Sequence, residues 1–194
     1  MDKLNREDLL SLESYHEQRT EFRRTVMAHK VNRQISIGEH VTLYFEDRLT
    51  VQYQVQEMLR VERVFEAKAI EEELLAYNPL IPDGSNWKAT MMIEYEDAGA
   101  RAVALEQLVG IEDRVWAKIG TCDPVWAIAD EDLERSRSNK TSAVHFLRFE
   151  FNDEMLSEAA AGADISLGID HRQYDESVKP LGQSSRNTLV ADFV

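Results

Sequence analysis

Cysteine is almost absent. A single residue, Cys122, leaves no partner for an intramolecular disulfide and no set of thiolates for a zinc or iron–sulfur site within the chain. Proline occurs 4 times and glycine 8 times in 194 residues, and neither gathers into a linker. With no internal repeat or composition break either, residues 1–194 are expected to form a single domain. No apolar run approaches the roughly 18 residues of a membrane span. The first residues, Met1-Asp2-Lys3-Leu4-Asn5-Arg6, carry charge where a signal peptide would be apolar, so a cytoplasmic protein is expected. Positive charge is scarce: 22 Lys and Arg against 36 Asp and Glu give −14, which argues against nonspecific binding of nucleic acid. The nucleophile and phosphate-binding motifs Gly-x-Ser-x-Gly, Gly-x-Gly-x-x-Gly and the P-loop are missing as well.

What remains is the composition of a globular chain, 43% hydrophobic and 30% charged. Residues 11–31 lack Gly and Pro and read as a long helix that breaks before Gly38. Residues 40–46 are β-branched and aromatic and read as a strand, followed by a turn over 47–50. Residues 51–65 and 66–77 read as two helical pieces, ended by the rigid loop Tyr77 to Gly84. Strands are expected over 87–95, 114–119, 125–129, 142–151 and 164–169, and helices over 98–108, 130–137 and 153–161. In the clearest strand His145, Leu147, Phe149 and Phe151 share one face, and Phe146, Arg148 and Glu150 the other. Leu189-Val190-Ala191 is expected to dock the polar tail. The sum is an α+β fold, a mostly antiparallel sheet of about six short strands packed against several helices, with a long N-terminal helix.

At helical spacing, Arg19, Arg23, Lys30 and Arg33 form a cationic stripe that includes Val26 and extends to Leu12 and Tyr15. Three readings stay open: long cationic stems covering apolar surface, pairing with internal acids, or an anion or cofactor site. On the 51–65 helix Val51, Val55, Met58, Leu59, Val61 and Phe65 cover one arc, and Gln54 and Glu62 fall inside it. A carboxylate facing a core costs on the order of several kcal/mol unless paired. Glu62 is therefore expected to meet the stripe, either in a buried Arg–Glu lock between two helices or as a ligand-facing acid. Glu57 and Arg60, on the other side, read as a surface pair. The run Glu71 to Glu73 reads as a solvated face.

The five histidines form no His-x-x-x-His pair. Glu13 and His16 match the spacing of carboxylate-bridged di-iron helices, but a single such motif is near chance. His145, on a mostly apolar strand face, reads as a satisfied core histidine. Cys122 lies in a turn where neighbouring Asp123 raises its pKa, which makes it a poor nucleophile.

Several of these segments recur together in one known family. Tyr15, Arg19, Phe22-Arg23 and Lys30, the string from Tyr53 to Arg63, the loop Tyr77 to Gly84, Ala89 to Glu94 and Val144 to Phe149 resemble the bacterial family called domain of unknown function 3501. The likeness spans nearly the whole chain. Where the family pattern has two adjacent basic residues, this chain has Asn32-Arg33. The resemblance implies no activity. It implies an association with rubrerythrin-like and iron–sulfur redox proteins, hence with oxidative stress or redox partners.

Two functions are carried forward. One is a non-catalytic accessory or binding protein that serves a protein partner or a second copy of itself, and neither nucleic acid nor membrane. The other is an enzyme or small-molecule binder with an Arg/Glu-lined anion or metal site between the N-terminal helix and the 51–65 helix. Its candidate residues are Arg19, Arg23, Glu57, Arg60, Glu62, Tyr77, Asn78 and His145. No cofactor or metal ligand set is identified.

Overall fold

The structure is a computed structural model and describes residues 2–193. The chain runs α1 (Leu12–Lys30), β1 (Gln34–Ile37), β2 (Val41–Glu46), α2 (Arg48–Glu62), α3 (Ala67–Tyr77), β3 (Asn86–Ile93) and α4 (Ala98–Gln107). It continues through β4 (Val115–Ile119), β5 (Val125–Trp126), β6 (Ile128–Ala129), β7 (Val144–Glu150), α5 (Asp153–Ala160), β8 (Ile165–His171), β9 (Tyr174–Val178) and α6 (Gln183–Val190). The fold is α+β, as expected, with its strands divided between two antiparallel sheets. One has the order β1-β2-β3-β7-β6, the other β5-β4-β8-β9.

Strand alternation decides what each sheet hides. In the five-stranded sheet Leu43, Met91 and His145 lie in one row, and Phe45, Ala89 and Leu147 in the next. In the four-stranded sheet Val115, Ala117 and Ile119 of β4 pair with Ile169, Leu167 and Ile165 of β8. These apolar residues from both sheets belong to one buried cluster, the main core. The indole of Trp87 fastens the chain's end to it by donating to the Leu189 carbonyl at 2.9 Å and stacking on Phe193. Leu189 is fully buried, so the tail docks as expected.

The other face of the five-stranded sheet carries Glu46, Lys88 and Arg148 in one row and Tyr44, Thr90 and Phe146 in the next. A second apolar cluster of Leu4, Val51, Val55, Leu59, Leu74 and Ile81 holds α2, α3 and the N-terminal segment together.

Three local expectations are corrected. Residues 47–50 are the start of α2 and not a turn: the Asp47 carboxylate accepts from the Thr50 amide, and the Thr50 hydroxyl accepts from the Asp47 amide, both at 2.9 Å. Residues 130–137 form no helix. Asp130 takes a left-handed φ of 52°, and the polar side chains that follow bond to each other and to neighbouring segments, as described below. The 51–65 helix ends at Glu62 because Arg63 is left-handed, with φ 55°. Among the described residues no helix is long and apolar enough to cross a membrane.

Candidate functional site

Sequence periodicity placed the key carboxylate at Glu62, but Glu57 takes that role. Arg19 on α1 grips Glu57 with both arms, Nε to Oε1 at 2.7 Å and Nη2 to Oε2 at 2.8 Å. The buried Tyr15 hydroxyl donates to Oε1 at 2.6 Å, and Arg60 approaches Oε2 at 3.4 Å. The Arg19 guanidinium foremost, then the Tyr15 and Arg60 donors, hold the Glu57 carboxyl down to about 2. Burial and Glu57 push the Tyr15 phenol up. Chemically this is a closed ion pair that joins α1 to α2, and it leaves no bidentate face of Arg19 free for an anion.

Glu62 is exposed and, among the described residues, makes no hydrogen bond or ion pair. Its angle on the helix matches the buried residues Val51, Val55 and Leu59, but it stands in the last turn, past the end of what they cover. Val61 and Phe65, counted with the core face in the sequence, are 64% and 70% exposed.

Glu62 instead forms part of the lip of a cleft of about 480 Å³ between the helices and the outer face of the five-stranded sheet. Met58 and Glu62 of α2 and Glu73, Ala76 and Tyr77 of α3 make one wall. Lys88 of β3 with Phe146 and Arg148 of β7 makes the opposite one, and Glu131 and Asp132 close a side.

The cations of this cleft already have partners. Arg148 holds Glu131 bidentately, both distances 2.8 Å, and also meets Glu150. Lys88 donates to the Pro79 carbonyl, and burial lowers its pKa. Asp132 is bound by both arms of Arg135, at 2.6 and 2.7 Å, and that guanidinium lies 4.6 Å over the Phe146 ring. Glu62 and Glu73 have no such partner among the described residues, and after burial their negative field is what pushes the Tyr77 phenol up.

His145 faces away from the cleft, into the core, and is fully buried. Its Nδ1–H donates to Asp130 Oδ2 at 2.6 Å, which leaves Nε2 facing the Thr141 hydroxyl at 2.9 Å and the Ser142 carbonyl at 3.1 Å. Thr141 lies 3.2 Å from Glu112 and 2.8 Å from Ser136, and Ser136 also bonds Glu112. Asp130 Oδ1 further accepts from the Phe146 amide at 3.0 Å and Arg135 at 3.2 Å. The network pins the segment 130–141 to β7 and thereby sets Glu131 and Asp132 at the cleft.

Residues 3–193 match the model of a family described as a protein of unknown function, DUF3501. The chain belongs to this family. No curated protein matches it. It is similar to a crystal structure of a novel protein of unknown function from Burkholderia pseudomallei K96243, at 48% sequence identity over 100% of both chains, with a TM-score of 0.94.

In this DUF3501 chain the eight candidate residues separate into five places. Arg19, Glu57 and Arg60 meet in the α1–α2 lock. Arg23 is exposed and unpaired among the described residues. Glu62 and Tyr77 line the cleft. Asn78 clamps the N-terminal segment, with its side-chain amide exchanging two 2.8 Å hydrogen bonds with the Leu4 backbone. His145 belongs to the buried network, satisfied as a core histidine should be.

Lys88, Glu131, Asp132, Phe146 and Arg148 escaped the sequence reading as site residues. Two signals pointed to Lys88, Phe146 and Arg148: a lysine as the one charged residue of β3, and the Phe146–Arg148 face of β7 opposite the core residues. Cys122 sits within 4.8 Å of Glu154 and Glu158 donor atoms, and its pKa is raised first by burial and then by these two acids, ahead of Asp123.

Proposed function

We propose that this DUF3501 protein is a non-catalytic binding protein whose ligand occupies the cleft between α2, α3 and the outer face of the five-stranded sheet. One observation carries the reading. Every cation of the cleft is partnered within the protein, while Glu62 and Glu73 face it unpaired among the described residues, beside the apolar and aromatic surface of Met58, Tyr77 and Phe146. Such a surface favours a ligand with an apolar body and a positive end, held by ring faces and the two carboxylates. A non-catalytic role is supported by the position of the acid–imidazole–hydroxyl chain. Thr141 and His145 are 2% and 0% exposed, on the core side of β7. The redox setting and the protein partner expected from the sequence form no part of this proposal.

Calorimetric titration with benzyltrimethylammonium, and with benzoate as the oppositely charged control, tests it. The ammonium is expected to bind saturably and benzoate not. The Glu62→Gln/Glu73→Gln variant should bind about tenfold more weakly, two exposed charge contacts of up to about 1 kcal/mol each. Absence of saturable ammonium binding, or equal binding by the variant, overturns the assignment.

A further inference from the structure

The outer face of the four-stranded sheet is a second, independent feature. It carries two of the protein's 3 tryptophans. Trp116 of β4 and Trp126 of β5 are direct cross-strand partners, so both indoles stand on one side of the sheet. Trp126 is 41% exposed. Trp116 beside it is half-buried, and two large apolar rings on the outer face of a sheet need a reason, since burying them fully would be favourable.

The seat of Trp116 is built. Gly168 is its partner on β8, and a Cβ there would stand 2.3 Å from Cζ2 and 2.5 Å from Cε2 of the indole. Only glycine lets the ring lie down over the strand. Above it stands the Lys179 ammonium, 5.0 Å from the ring centroid, with no hydrogen bond or ion pair among the described residues. A lysine held by no hydrogen bond or ion pair among the described residues is thus the cover of this ring. Trp126 differs: Arg114 lies 4.9 Å over it and is fixed by Asp170 through Nε to the carbonyl at 2.7 Å and Nη2 to Oδ2 at 2.5 Å.

The surrounding side chains carry both signs. Lys118, Asp164 and Asp175 share a shallow depression with the two rings and make no side-chain hydrogen bond among the described residues. Asp175 is also placed directly opposite Asp170 across β8 and β9, a like-charge pairing that costs stability. An anionic ligand would be repelled by the aspartates, and a cationic one by Arg114, Lys118 and Lys179. A neutral ligand with a flat apolar face and many hydroxyl groups offends neither set and can use both.

We propose that this face is a carbohydrate-binding platform. The C–H face of a sugar ring stacks on Trp116 in place of Lys179, Trp126 borders it, and Lys118, Asp164 and Asp175 hydrogen-bond the hydroxyls. Because the platform and the helical cleft lie on different sheets, substitutions at Glu62 and Glu73 leave it intact.

Tryptophan fluorescence of the full-length protein titrated with cellotetraose and with chitotetraose tests this, since Trp87 is buried and contributes a constant background. A saturable spectral shift is expected with at least one of them, weakened at least about tenfold in Trp116→Ala. No saturable shift with either, a shift unchanged in Trp116→Ala, or binding of AMP in place of the sugars overturns the proposal. Should Trp116→Ala not fold, saturation-transfer NMR on the unaltered protein decides. Transfer from indole to sugar ring protons supports the platform, and its absence overturns it.

Discussion

Arg19 and Glu57 face each other across the first two long helices, joined by hydrogen bonds of 2.7 and 2.8 Å in a half-buried setting. The carboxyl is held down to about 2 from its ordinary 4.5. A folded-state pKa below the unfolded one adds stability that is fully present above pH 4.5 and lost as the pH falls toward 2. After allowance for solvent screening the contribution of Glu57 is about 1–2 kcal/mol. Urea denaturation at pH 7 and at pH 3 is expected to show Glu57→Gln weaker than the parent at pH 7, with the gap narrowing at pH 3. A gap that stays constant with pH contradicts the pairing.

Arg33 is a buried cation at the junction of four segments. Its Nε donates to the Phe45 carbonyl at 3.0 Å and its Nη2 to the Glu46 carbonyl at 3.1 Å. The guanidinium also bridges Asp192 near the chain's end and Asp47, whose other neighbour is His29 at 2.5 Å. Removing one member of a buried charge pair strands the other. Arg33→Met is therefore expected to cost about 3–5 kcal/mol, a fall in Tm of roughly 6–20 °C for a chain of this size. Arg33→Lys should recover only part of this, because an ammonium lacks the planar fork that reaches two carbonyls and two carboxylates. Thermal melts of the two variants beside the parent settle the order.

The core was legible wherever side chains alternate or repeat strongly. Leu147 and Phe149 inward and Phe146 and Arg148 outward follow directly from the period of β7. The edges were not legible. β1 has only four residues, and β9 reads Tyr-Asp-Glu-Ser-Val, because an edge strand facing solvent needs no apolar alternation. Residues 130–137 have helix-forming composition, yet Asp130 bonds His145, Glu131 bonds Arg148 and Ser136 bonds Glu112, tertiary contacts that local propensity cannot register. Glu62 shows the limit of a helical wheel, which gives an angle and says nothing about where the covering layer stops. The cleft joins residues from five separate stretches of chain, and only Lys88 and the Phe146–Arg148 face of β7 marked it locally.

We read the chain as one folding unit, although its apolar residues form two clusters. β2 runs into α2 with Asp47 as both N-cap and partner of Arg33, so the helical layer is tied to the larger core at α2's first turn. Unfolding followed by tryptophan fluorescence, which reports Trp87 in the larger core and Trp116 and Trp126 on the sheet that bounds it, and by far-UV circular dichroism should give coincident curves. A separate, earlier helical transition would divide the protein in two.

Asp130 and His145 control the order of the segment that closes the cleft. Asp130 binds the imidazole, the Phe146 amide and Arg135 at once while holding a left-handed backbone. Asp130→Asn keeps an acceptor and tolerates that φ, whereas Asp130→Val removes all three bonds and puts a β-branched residue where it is strained. Asp130→Val is expected to cost at least about 2 kcal/mol, and Asp130→Asn clearly less. The informative readout is local. Amide hydrogen exchange over residues 131–140 should accelerate in Asp130→Val more than elsewhere in the chain, and binding in the cleft should weaken with it, since Glu131 and Asp132 lose their placement. Uniform acceleration along the whole chain would show a general loss of stability and no specific control of this segment.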